Sequence, residues 1–102
     1  MNPMIEAKAD ELKQLCRRYH VQRLELFGSA AEDNFNPSLS DLDFLVQFEP
    51  CSPSEHYERY FGLLESLQAL FGRQIDLVEA GAMRNPYFIR RVNRSRTPIY
   101  AV

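Results

Sequence analysis

At 102 residues, with 45% apolar and 25% charged side chains, the chain has the size and composition of one layered globular domain, expected to be complete in itself, and no run of eighteen apolar residues is present to cross a bilayer. The opening MNPMIEAKAD lacks the basic start and apolar centre of a signal peptide, so a cytoplasmic location is expected. The net charge of -2 hides an uneven distribution: residues 1–80 hold 14 acidic and seven basic side chains, whereas 81–102 hold five arginines and no acid. An acidic body argues against wrapping a long nucleic acid. It leaves Arg84, Arg90, Arg91, Arg94 and Arg96 as either a solvated helix face or a surface for phosphate or an acidic partner.

In chain order, Ile5, Ala9, Leu12, Cys16 and Tyr19 recur at three- and four-residue steps and predict a helix over 4–19. VQRLELFG predicts a short strand with Leu24 and Leu26 on one side and Arg23 and Glu25 on the other, ended by a turn at Gly28. Ser29 to Glu32 then begin a short helix, and the aperiodic stretch 34–40 returns the chain to a second strand over 41–48. Ser52-Pro53-Ser54-Glu55 has the capping-box pattern. The helix it starts is expected to turn Tyr57, Tyr60, Phe61, Leu64, Leu67 and Phe71 inward and to end near Gly72. Residues 74–79 predict a third strand, closed by Gly81, and Asn85-Pro86 a last helix with Phe88, Ile89 and Val92 on its apolar side. Thr97-Pro98-Ile99-Tyr100 ends that helix and continues as an extended segment. Cys16 and Cys51 share no CxxC spacing and read as a helix residue and a loop thiol; His20 and His56 have no neighbour at metal-ligand spacing. The fold class expected is α+β, an α/β sandwich-like small mixed sheet packed against helices, with Leu24, Leu26, Leu42, Phe44, Val46, Ile75 and Leu77 in its central layer.

Chemistry concentrates in residues 26–48 and 74–79. A Gly28-Ser29 turn offers backbone donors and a hydroxyl suited to phosphate oxygens. Asp41 and Asp43 alternate with Leu42 and Phe44, so they share a strand face with backbones roughly 7 Å apart, a span that suits a hard cation. Asp76, between Ile75 and Leu77, is placed to be their lateral neighbour. Three convergent carboxylates suit Mg²⁺ or Mn²⁺ and, through it, a nucleoside triphosphate.

Gly28-Ser29, then Ser40-Asp41-Leu42-Asp43-Phe44-Leu45-Val46, then Ile75-Asp76-Leu77-Val78, together resemble the minimal nucleotidyltransferases of the DNA polymerase beta superfamily, over nearly the whole chain. The resemblance implies the nucleotidyltransferase fold and metal-dependent transfer of a nucleoside monophosphate from an NTP to a hydroxyl, with ATP the expected co-substrate. It assigns Gly28 and Ser29 to triphosphate binding, and Asp41, Asp43 and Asp76 to metal binding and catalysis, Asp76 assisting the acceptor. Small members of this family are commonly encoded beside a HEPN-domain protein, a ribonuclease-like toxin, and act as its antitoxin. A HEPN partner, with AMP transferred to one of its hydroxyls, is therefore expected, with homo- or hetero-oligomerisation open and nucleic-acid or membrane binding disfavoured.

The chain departs from the family pattern where many relatives read Gly-Ser-x-Ala-Arg-Gly. Here Glu32-Asp33 replace the basic residue and the glycine, and eleven residues rather than ten separate Ser29 from Asp41. Acidic residues there repel a triphosphate unless a cation from elsewhere compensates, for which Arg73 and the 84–96 arginines are candidates. The alternative reading is a nucleotidyltransferase-like protein of weak or no catalytic activity, acting as a protein-binding antitoxin or assembly module.

Overall fold

The computed structural model describes residues 2–32 and 41–102. Four strands, β1 (Val21–Phe27), β2 (Leu42–Phe48), β3 (Ile75–Glu79) and β4 (Thr97–Ala101), form one sheet in the order β3-β2-β1-β4. β2 and β3 are parallel, while β1 runs antiparallel to both β2 and β4. The extended segment expected after the last helix is thus an edge strand, where Pro98 is tolerated because its missing N–H is not needed on the outer side.

The first helix differs from expectation. It is two pieces, α1 (Pro3–Ala7) and α2 (Ala9–Arg18), joined at Lys8. Asn2 caps α1 by accepting the Met4 N–H at 2.8 Å, and its own Nδ2 donates to the Ala30 carbonyl at 3.3 Å. That tether to a distant turn sets the direction of α1, and residue spacing does not encode it.

Strand alternation divides the sheet into two faces. Leu24, Leu26, Leu42, Phe44, Val46, Ile75 and Leu77 are all buried on one face, in a core completed by Ile5, Leu12 and Cys16 of α1 and α2 and by Leu63 and Leu67 of α3 (Pro53–Phe71). The other face carries a smaller cluster, in which Phe27 and Leu45 pack against Val92 of α4 (Pro86–Ser95) with Val78 and Phe88 at its border. α3 has the expected ends: Ser52 and Glu55 close a capping box, and Gly72 ends the helix at φ 62°.

The inward stripe of α3 is rotated from the one predicted. Leu63 and Leu67 are its fully buried residues, whereas Tyr57 is 65% exposed and Phe61 43% exposed. Gly62 explains the rotation. A Cβ there would stand 2.4 Å from Cε1 of Tyr19, so the Tyr19 ring lies directly on the helix backbone, with its hydroxyl 3.1 Å from Ser66 Oγ. A glycine adds nothing to a hydrophobic count, yet here it marks the contact face. On the side of α3 toward β3, the Tyr60 hydroxyl donates to the Leu77 carbonyl of that edge strand at 2.6 Å. Nearby, His56 pairs with Glu79 at the end of β3 remote from Asp76.

Candidate active site

Because β1 is antiparallel to β2 and β3 parallel to it, the end of β1 and the beginnings of β2 and β3 meet at one end of the sheet. The register is direct: Phe27 stands opposite Asp43, and Asp43 opposite Asp76. Asp43 and Asp76 lie on the smaller-core face, the face α4 covers. Asp41 is exposed and immediately precedes β2; Asp76 is exposed and Asp43 half-buried.

The charges act on one another. Burial first, then the negative charges of Asp76 and Asp41, together push the Asp43 carboxyl up to a pKa of about 6, with Arg91 of α4 opposing them. The three predicted carboxylates and one arginine therefore share a single electrostatic environment, in which Asp43 is the crowded member.

Gly28 is shaped by that crowding. Its φ is +72°, and a Cβ would lie 2.4 Å from Asp43 Oδ2, so glycine serves both the left-handed turn and the close approach of β1's end to the carboxylate. Its N–H donates to Ser95 Oγ at 2.9 Å in a buried bond. The Gly28 amide is thus engaged by Ser95 here, and the absence of a side chain at Gly28 gives the Asp43 carboxylate its clearance. Ser29 is half-buried in the four-residue 3₁₀ turn Gly28–Ala31, and Glu32 follows, exposed, its N–H donating to the Ser29 carbonyl at 3.2 Å. Asp33 and the Asn36-Pro37-Ser38 stretch lie outside the described residues.

Among the described residues, no three Asp, Glu, His or Cys side chains gather closely enough to enclose a metal ion by themselves. The donors that are present suit a hard divalent cation all the same. Mg²⁺ retains waters and takes only one or two carboxylates alongside substrate phosphates. A cation between Asp43 and its acidic neighbours would relieve the repulsion that raises the Asp43 pKa.

Two residues of this site were not distinguished in the sequence. Ser95 is the last residue of α4, and nothing in its spacing marks it as the acceptor for an amide 67 positions away. Arg91 was one of five similar arginines; the step Phe88, Arg91, Ser95 along one helix ridge is the signal that separates it. Arg96, by contrast, belongs to a structural pair. Its Nη2 lies 2.6 Å from Oε2 of Glu25, a carboxylate buried in β1.

A family model described as nucleotidyltransferase domain matches residues 10–99. The chain is 36% identical over 80 residues to "Putative protein adenylyltransferase MJ0128" of Methanocaldococcus jannaschii, with 78% of each chain covered. Among solved structures it is similar to a "putative minimal nucleotidyltransferase" at 28% identity and TM-score 0.65, covering 92% of this chain and 91% of that one. At 17% identity and TM-score 0.62, covering 95% and 72%, its fold also matches a chain in the complex of the tri-AMPylated Shewanella oneidensis HEPN toxin with MNT antitoxin.

Proposed function

Because the chain belongs to the nucleotidyltransferase domain family, we propose that it transfers AMP from ATP to a hydroxyl of a protein, and that the acceptor is a HEPN-domain toxin which it thereby neutralises. The observation that carries this reading is the lateral pairing of Asp43 with Asp76 beside Gly28. It gathers the acidic groups of the motif at the end of the sheet where the Gly-Ser turn lies. A relative named as a protein adenylyltransferase and a fold neighbour complexed with an AMPylated HEPN toxin support the acceptor class.

In this mechanism Asp41 and Asp43 hold a divalent cation, Mg²⁺ or Mn²⁺, and Asp76 completes the acidic set. When bound, the ion neutralises triphosphate charge and polarises the reacting phosphorus. The chain's own groups do the rest. Ser29 at the turn orients the terminal phosphates. Asp76, exposed on edge strand β3, lies where a protein acceptor can reach it, and takes the proton from the acceptor hydroxyl. The acceptor oxygen bonds to the α-phosphorus as the bond from that phosphorus to the bridging oxygen breaks, and pyrophosphate leaves with the electron pair. A cytoplasmic location goes with this proposed use of ATP; no helix among the described residues is long and apolar enough to cross a membrane.

The test is transfer of label from α-phosphate-labelled ATP to a HEPN-domain protein as the proposed acceptor, with and without Mg²⁺. Magnesium-dependent labelling is expected; a folded pair that shows none would defeat the enzymatic reading. A second reading, neutralisation by binding alone, is favoured by Glu32, an exposed acid directly after the Gly-Ser turn, whose charge opposes a triphosphate there. An Asp41→Ala, Asp43→Ala double variant separates the two: full neutralisation by the variant supports binding, and its loss without unfolding supports chemistry.

A further inference from the structure

We propose that Arg91 is a phosphate-binding residue of this site, holding the pyrophosphate end of the triphosphate. The proposal deepens the nucleotidyltransferase reading and rests on it.

The placement of α4 is the first support. Val92 is fully buried against Phe27 and Leu45, and Phe27 is the register partner of Asp43. Three residues before Arg91, Phe88 meets the Phe27 ring edge-on at 6.0 Å and 88°. Four residues after it, Ser95 holds the Gly28 amide. Positions i−3 and i+4 on a helix lie on the same flank as i. Arg91 is therefore bracketed by two contacts to the end of β1, and its flank looks toward the turn and the carboxylates.

The second support is availability. Arg96 is taken by Glu25, Arg59 by Glu55 at 3.6 Å, Arg84 by the Gly81 and Met83 carbonyls, and Arg90 sits over the Tyr87 ring. Arg91 is exposed, and among the described residues no carboxylate forms an ion pair with it.

The third support is electrostatic necessity. Asp41, Asp43 and Asp76 act on one another at the end of the sheet where the Gly28–Ala31 turn lies, exposed Glu32 follows that turn, and a metal held by two of the carboxylates would leave acidic surplus toward a triphosphate. An arginine answers it with a planar fork that fits phosphate oxygens bidentately.

Calorimetric titration of the protein with ATP and with AMP, each with Mg²⁺, tests the assignment in wild type, R91A, R91K and R94A. The expected result for R91A is about 10- to 100-fold weaker ATP binding, with AMP, which lacks the β- and γ-phosphates, unchanged. R91K should fall between, and R94A should match wild type. Unchanged ATP binding by R91A overturns the proposal, as does equal loss of ATP and AMP, or equal weakening by R91A and R94A, which would mean a diffuse field. If R91A fails to fold, R91K decides: selective weakening of ATP supports the contact, and wild-type affinity overturns it. Wild-type protein that binds no ATP defeats the nucleotidyltransferase reading itself, whereas ATP binding that survives in R91A removes Arg91 alone.

Discussion

Gly28 and Ser95, 67 positions apart, are joined by a buried hydrogen bond of 2.9 Å from backbone N–H to side-chain Oγ. It fastens the end of α4 to the end of β1, and with them the helix that carries Arg91 to the turn that gives Asp43 its clearance. This bond adds a directional tie to the packing of Phe88 and Val92 against Phe27.

Replacing Ser95 with alanine leaves a buried amide without its acceptor, a loss of about 1–3 kcal/mol. Urea unfolding should read that decrease. A threonine, which keeps the hydroxyl, should recover more of the stability than valine, which keeps only the shape. Equal behaviour of threonine and valine would mean that packing, not the hydrogen bond, holds the turn.

Asp43 gives the apoprotein a pH dependence opposite to that of most carboxylates. Its folded pKa of about 6 lies above the ordinary value of 3.8, so the native state binds this proton more tightly than the unfolded chain does. Its contribution to stability is present at about pH 4 and is lost as pH rises through about 6. Asp43→Asn should therefore raise the melting temperature in EDTA at pH 7.5 and flatten the dependence between pH 4 and 6. Mg²⁺ should stabilise wild type at pH 7.5 and leave the variant nearly unchanged.

Gly62→Ala should destabilise the protein although alanine is favoured in a helix by about 1 kcal/mol. The new methyl would meet Tyr19 Cε1 at 2.4 Å, and overpacking of this kind costs about 1–3 kcal/mol. Truncating Tyr19 to alanine in the same chain should remove the clash, so that the methyl then stabilises. Thermal melts of the two single variants and the double variant form the cycle that checks this.

The two cysteines should differ sharply in reactivity. Burial pushes the Cys16 thiol up to about 12, while Cys51 is only half-buried in the segment after β2. A thiol reagent at pH 8 should modify one cysteine in the native protein, abolished by Cys51→Ser, and the second only on unfolding.

Much of the site was legible because strand alternation is local. Asp41 and Asp43 could be set on one face from Leu42, Phe44 and Val46 alone, and Asp76 between Ile75 and Leu77 could be named as their neighbour before any pairing was seen. The capping box at Ser52 and the stop at Gly72 were equally local. What escaped depends on contacts between distant segments. The break at Lys8 goes with Asn2 reaching Ala30, and the burial of Glu25 depends on Arg96, 71 positions away, which no local pattern on β1 encodes. In α3 the aromatic residues dominated the periodicity, yet Gly62 faces the neighbour, so Tyr57 and Phe61 stack on each other at the surface with ring centroids 4.7 Å apart. The Gly28 amide, expected to be open to a ligand, was claimed by a serine whose role no pattern announces.

The position of β2 in the sheet has a dynamic consequence. It is an interior strand, hydrogen-bonded to β1 on one side and β3 on the other, and strands so held open last in native-state exchange. Asp43 rides on it, while Asp41 lies just before its first residue. The two acidic groups thus differ in compliance: one is held in the ladder between two neighbouring strands, the other lies outside it and follows the fraying of the strand end. Deuterium uptake should be slowest at Phe44 to Val46 and should rise toward Leu42, giving the pair a fixed anchor and an adjustable arm.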